Sequence, residues 1–264
     1  MNADDFGYTR DVNRGIVEAH TRGILTATTL MANGAAFEHA VELARENPAL
    51  DVGCQLVLIG GQSLLGNRDP LPRSVPEFLT RLATRSIRPY DELRAQIEKI
   101  LAAGITPLHL DTHKHTHLAF PVLSAVARLS EEFRIRWVRR PFDFPLSGAG
   151  PVPFGKRAIS QSLRILRDRF HGKLSKHGCR TTDHFAGFQL TGYLRDEELA
   201  SLLKSLPEGI TEFMCHPGYC TDELRQCLTR LKESRERELN ALIAPGVRAA
   251  LRENSIELVR YRDL

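Results

Sequence analysis

The chain has 264 residues, 42% hydrophobic and 26% charged, the proportions of an ordinary globular protein, which exclude wholesale disorder, a collagen-like repeat and a coiled-coil rod. Lys and Arg outnumber Asp and Glu by 36 to 32, and a net charge of +4 is too small on this length to argue for nucleic acid as a partner. No apolar run reaches the ~18–20 residues of a membrane span, and no signal pattern precedes Asp4-Asp5, so the chain reads as cytoplasmic and large enough for one α/β domain over 1–264.

Short β-rich runs alternate with helical patterns. Val12, Ile16, Val17 and Ala19 recur at helical spacing over Asp11 to Arg22, Gly23 stops the helix, and Thr26 to Met31 is β-branched and strand-like. The alternation continues with a helix over Phe37 to Arg45, a strand over Asp51 to Ile59, a helix over Tyr90 to Ala103 and a strand over Leu108 to His113. A helix over Phe120 to Phe133, a strand over Arg136 to Val138, a helix over Asp196 to Ser205 and a strand over Ile210 to Cys215 follow. The last elements are a helical stretch over Arg235 to Leu251, broken at Pro245-Gly246, and a strand over Ile256 to Tyr261. This order predicts an α/β, (β/α) barrel-like fold, a mostly parallel sheet wrapped by helices. Two long Pro- and Gly-rich stretches, Gly60 to Pro76 and Pro141 to Gly155, read as irregular binding loops or lids.

Between Arg128 and Arg180 stand 13 Lys and Arg against 4 Asp and Glu, and within this run Ile159, Leu163, Leu166, Phe170 and Leu174 are spaced as one amphipathic helix. A solvated surface face, a peripheral contact with an anionic or lipid-linked surface through 156–176, and a homodimer contact are its three readings. The five cysteines, odd in number and scattered, read as reduced thiols, and Cys215, Cys220 and Cys227 fit no common zinc spacing.

Three constellations carry chemistry. Asp4-Asp5, before a Gly7 turn, sets two repelling carboxylates side by side, which favours a bound cation or a split of roles, although Asp is equally at home in a turn or helix cap. Asp111, His113, His115 and His117 alternate, and in extended backbone they would share one face, an arrangement suited to metal or acid–base chemistry. His216 precedes Pro217-Gly218 at a strand end, where active sites of parallel α/β sheets lie, or else is a solvated turn histidine. Asp183-His184-Phe185 and Arg139-Arg140-Pro141 read as a turn and a basic rim.

Together the motifs Asn2-Ala3-Asp4-Asp5-Phe6-Gly7, Gly23-Ile24-Leu25-Thr26, Leu30-Met31-Ala32-Asn33, Asp111 to His117, Arg140-Pro141, Asp183 to Gly187, His216-Pro217-Gly218 and Arg237-Glu238-Leu239 resemble the YdjC-like (ChbG-type) carbohydrate deacetylases, including those associated with hopanoid biosynthesis. The resemblance covers nearly the whole chain. It implies a barrel-like hydrolase that removes acetyl from an N-acetylated sugar or glycan with one divalent metal ion, Mg or Zn. On it, Asp4 is the general base and His216 the general acid, Asp5 and His113 are metal ligands, and His115, His117 and Arg140 contact the sugar or orient its charge. Two departures stand out. The family's Gly-x-His-Leu reads Gly53-Cys54-Gln55-Leu56, so Gln55 takes the place of a metal-ligating histidine. Only Met1 precedes the Asn-Ala-Asp-Asp motif, so a truncated first strand with unpaired neighbours is expected. A degenerate homologue that binds an acetylated sugar or lipid-linked glycan without turnover is the alternative, and a different metal hydrolase such as a phosphoesterase the third reading.

Overall fold

A computed structural model describes residues 1–66, 69–146 and 153–264, so both irregular stretches expected from sequence lie partly outside the described residues. The strands are β1 (Asn2–Phe6), β2 (Ala27–Leu30), β3 (Asp51–Leu56), β4 (His109–Thr112), β5 (Trp137–Val138), β6 (His184–Ala186) and β7 (Thr211–Cys215). Helices α1 (Arg10–Thr21), α2 (Phe37–Glu46), α3 (Val75–Ala83), α4 (Pro89–Ala102), α5 (Phe120–Phe133) and α6 (Phe154–Leu163) are followed by α7 (Arg167–Ser175), α8 (Asp196–Leu203), α9 (Asp222–Arg225), α10 (Glu233–Ile243) and α11 (Pro245–Glu253). Local chemistry sets their ends. Thr9 Oγ1 caps α1 by accepting from the Val12 N–H, Ser74 caps α3 in the same way, and prolines open α3, α4, α5 and α11 where a missing N–H costs nothing.

Every strand pair is parallel, in the order β5-β4-β3-β2-β1-β7-β6, and the sheet curls into a half-barrel with the helices outside. The expected (β/α) barrel-like fold is the observed one. The gap between the edge strands is spanned by isolated parallel bridges, Trp137 to Arg180 and Asp143 to Phe185. Val12, Ile16 and Ala19 of α1, at the helical spacing read from sequence, and Leu93, Ile97 and Ile100 of α4 are fully buried.

Three expectations are corrected and one holds in part. β1 lies between β2 and β7, and on the β2 side the Met1 carbonyl accepts from the N–H groups of Thr26 and Ala27, whereas β7 pairs with β1 only through Met214 and Cys215, so the short first strand does leave Thr211 to Phe213 without a β1 partner. Ile256 to Tyr261 forms no strand; Tyr261 instead stacks on His109 at 3.9 Å between ring centroids, and Arg262 pairs with Asp51. Asp183 to Phe185 is more than a turn, since β6 pairs with β7 there. The single basic helix is two, parted by a tight turn over Arg164–Leu166, and only the second buries its apolar residues: Phe170 and Leu174 are in the core, Ile159 is 53% exposed.

Asp143 ties the edge together by accepting from the N–H groups of Phe188 at 3.2 Å and Gln189 at 2.9 Å. Burial outweighs these bonds and pushes its carboxyl up to about 6 from the ordinary 3.8. The fold therefore favours protonated Asp143, and the stability this contributes is full below pH 3.8 and lost as pH rises through about 6. Asp143→Asn, which cannot ionise, should raise the melting temperature relative to the native chain more at pH 8 than at pH 4; a pH-independent difference in thermal melts would contradict this account.

Candidate active site

The two acids of β1 occupy a bulge. Ala3 pairs with Thr28 but Phe6 with Leu30, so β1 uses one residue more than β2 over this step, and Asp5 absorbs it with a left-handed φ of 74°. The bulge takes the Asp5 N–H out of the strand ladder, and Gln55 Oε1 accepts it at 3.0 Å. Gln55 Nε2 donates in turn to Asp4 Oδ2 at 3.1 Å. Gln55 pairs with Asp111 on the neighbouring strand, which brings β1, β3 and β4 together at one level of the barrel.

Arg139, fully buried just beyond β5, closes that level. Its guanidinium grips Asp4 with two bonds of 2.7 and 2.8 Å, donates to Glu212 Oε1 at 2.7 Å, and lies 3.0 Å from Asp111 Oδ2. One cation thus faces three carboxyl groups. Burial pushes Asp111 well above the ordinary carboxylate range, toward its neutral form, with Arg139 pulling the other way. Burial also raises Asp4, against the same guanidinium. Asp5 goes in the opposite direction: burial works to raise it, but Arg235 and His113 outweigh burial and hold it well below the usual range. Arg235 Nη2 donates to Asp5 Oδ2 at 2.5 Å, and His113 Nδ1 stands 3.2 Å from Oδ1.

His216 stands at the end of β7, with Nε2 4.0 Å from Asp4 Oδ2 and Nδ1 3.9 Å from Glu238 Oε2. Glu238 also accepts the His216 N–H at 2.6 Å and the Gly192 N–H at 2.9 Å, fixing the turn. Burial lowers His216 to about 4, so the ring is neutral near pH 7. The turn itself is pressed on α1: a Cβ on Gly15 would lie 2.4 Å from the Gly218 Cα, which only glycine avoids.

The alternating histidines do not share a face. β4 stops at Thr112, and Lys114 and His115 take left-handed φ values of 54° and 52° in a tight turn over His113–Leu118, so the period of two ends where the histidines begin. His113 faces Asp5. His115 is buried between the rings of Phe185 and Phe188, and burial drives it well below its ordinary value. His117 points back into the fold: Nε2 donates to the Arg139 carbonyl at 3.1 Å and Nδ1 accepts from the Thr112 hydroxyl, leaving no free nitrogen for a ligand. Arg140 donates to the Asp183 carbonyl on the rim. Arg139, Arg235, Glu212 and Glu238 escaped the sequence reading, because a partner distant in sequence is visible only once the barrel closes. The only signals were the position of Arg139 beside Arg140 and the Arg237-Glu238-Leu239 motif.

The sequence profile described as YdjC-like protein matches residues 1–253. The chain belongs to the YdjC-like family. A Brevibacillus brevis relative named carbohydrate deacetylase is 32% identical over 279 residues, covering 100% of this chain and 98% of its own. One of the same name from Geobacillus stearothermophilus is 33% identical over 271 residues, covering 100% and 96%. A crystal structure from Enterococcus faecalis V583, of a protein assigned to cellobiose-phosphate cleavage, superposes with a TM-score of 0.78 at 25% identity over 99% of this chain and 96% of its own.

The divalent ion that the family resemblance implies, on Asp5, His113 and Gln55, does not fit these donors. Among the described residues no three His, Cys, Asp or Glu side chains gather to hold a metal ion. Gln55 cannot be turned to offer its oxygen elsewhere without setting an N–H against the Asp5 N–H and an oxygen against the Asp4 carboxylate. A guanidinium already occupies Asp5 Oδ2.

Arg139 and its neighbour give a contrast that chemical denaturation can read. Arg139→Leu leaves Asp4 and Glu212 buried without their cation and should cost about 3–5 kcal/mol. Arg140→Leu, which loses one rim hydrogen bond to a backbone carbonyl, should cost about 1 kcal/mol. Equal losses would show that the buried cluster does not hold the barrel.

Proposed function

We propose that the protein is a carbohydrate deacetylase that hydrolyses the N-acetyl group of a sugar or glycan. The observation that carries this reading is the approach of His216 to within 4.0 Å of Asp4, across the ends of adjacent central strands, in a chain covered throughout by relatives named for that activity. Amide hydrolysis needs a group that takes a proton from water and a group that gives one to the departing nitrogen. Asp4 accepts the proton as the water oxygen adds to the acetyl carbon. The proton passes to His216 Nε2 and from there to the sugar nitrogen as the C–N bond breaks, releasing acetate and the free amine. Burial suits both roles, since it makes Asp4 a better proton acceptor and His216 a ring that parts readily with a proton once it holds one. Glu238 positions His216 without reaching the reacting atoms. His115, against the Phe185 ring, and Arg140, bonded to the Asp183 carbonyl, are the candidates for contact with the sugar.

A second reading, binding of the acetylated sugar without turnover, is favoured by one feature: Gln55 ties both aspartates to β3 where the family pattern has histidine. Acetate release over a panel of N-acetylated sugars and oligosaccharides separates the two. The deacetylase reading expects saturable release, reduced ~10²–10⁴-fold in Asp4→Asn and in His216→Ala. Saturable binding of an N-acetylated sugar with no acetate from any member of the panel would establish the second reading instead.

A further inference from the structure

We infer that this chain has exchanged a divalent-ion site for a fixed internal cation, with Arg235 supplying the positive charge against Asp5 and Gln55 closing the space where a third ligand would stand. The inference concerns the same site as the proposed deacetylase but does not depend on turnover. Three observations carry it. First, both ends of the Gln55 amide are used, and each use is dictated by its neighbour. The bulge on β1 leaves a buried Asp5 N–H that needs an acceptor, and the Gln55 oxygen is that acceptor; Asp4 needs donors, and the Gln55 nitrogen is one. A neutral imidazole also has one donor and one acceptor, but one that turned its lone pair to a metal would leave the Asp5 N–H without an acceptor.

Second, each of the two aspartates already has its own internal cation. Arg139 faces Asp4 and Arg235 faces Asp5, each through contacts of 2.5 to 2.8 Å and each almost fully buried. A dication brought to Asp5 would meet the Arg235 guanidinium at close range in a poorly screened interior, where like charges repel strongly. Third, Arg235 is held from several sides and is not a side chain that could swing away for a metal. Its Nε donates to the Leu231 carbonyl at 3.3 Å, its backbone carbonyl accepts from the Gly218 N–H, and a Cβ on Gly218 would come within 3.2 Å of its Cδ. Its Nη1 is buried without a partner among the described residues, a donor left for a carbonyl or anionic oxygen of a bound ligand.

The test measures metal content and zinc affinity, with acetate release recorded separately. Native protein, Gln55→His and Asp5→Asn are equilibrated with excess zinc, manganese or magnesium, desalted, analysed for bound metal, and titrated with zinc calorimetrically. The inference expects the native chain to retain well under a tenth of an equivalent, and Gln55→His to bind zinc at least ten-fold more tightly, the lower bound set by what changes around metal ligands do. One equivalent in the native chain, lost in Asp5→Asn, overturns it. Native-level affinity in a folded Gln55→His overturns the role given to Gln55. If that variant does not fold, the native measurement alone decides. Absence of metal together with absence of acetate release rejects the deacetylase reading and leaves this inference standing; bound metal with acetate release does the reverse.

Discussion

The interior of this barrel is organised by one guanidinium. Arg139 is buried among Asp4, Asp111 and Glu212, drawn from β1, β4 and β7, so a single side chain links strands that lie four positions apart in the sheet. Such a cluster is costly to bury; Gln55 and Asn2 supply further donors to Asp4 and Glu212, while both Asp111 oxygens and Glu212 Oε2 are buried without a hydrogen bond among the described residues. Burial shifts Asp111 toward its neutral form, the direction that eases the excess of negative charge. The cluster fixes the orientation of Asp4, and with it the carboxyl oxygen that His216 Nε2 faces at 4.0 Å.

Around that centre the chain uses backbone irregularity to aim side chains. The bulge at Asp5 turns its carboxylate away from the Arg139 cluster and toward Arg235 and His113, so that two adjacent acids end with different partners and opposite shifts in acidity. The left-handed pair Lys114 and His115 does the same for the histidine run, sending His113 to the site, His115 to an aromatic wall and His117 into the fold. The turn that holds His216 is set by close contact of two glycines, Gly15 on α1 and Gly218, and by the Glu238 carboxylate beneath it.

Most of the architecture was legible in the sequence. Amphipathic spacing located α1, α2, α4 and α5 to within a residue or two, and β-branched runs located β2, β3, β4 and β7, because these elements bury one face or both and their periodicity records it. β6 was missed since three residues carry no period, and Ile256 to Tyr261 was misread because its apolar residues cover the end of the barrel without an edge to pair with.

For the site, the sequence by itself determined which residues come to the strand ends: Asp4, Asp5 and Gln55 are placed there by the strands that contain them, and His113 and His216 by the strands that precede them. What each one does there was decided only by tertiary structure. A period of two could not foresee that Lys114 and His115 would leave the extended region, and no local pattern shows that the Asp4 partner is Arg139, that of Asp5 is Arg235, or that Gln55 is fully occupied. The physical reason is that periodicity reports the face a residue presents, a local property of the backbone, whereas charge pairing and hydrogen-bond satisfaction depend on which groups, 50 to 230 residues apart, arrive within 3 Å when the sheet closes.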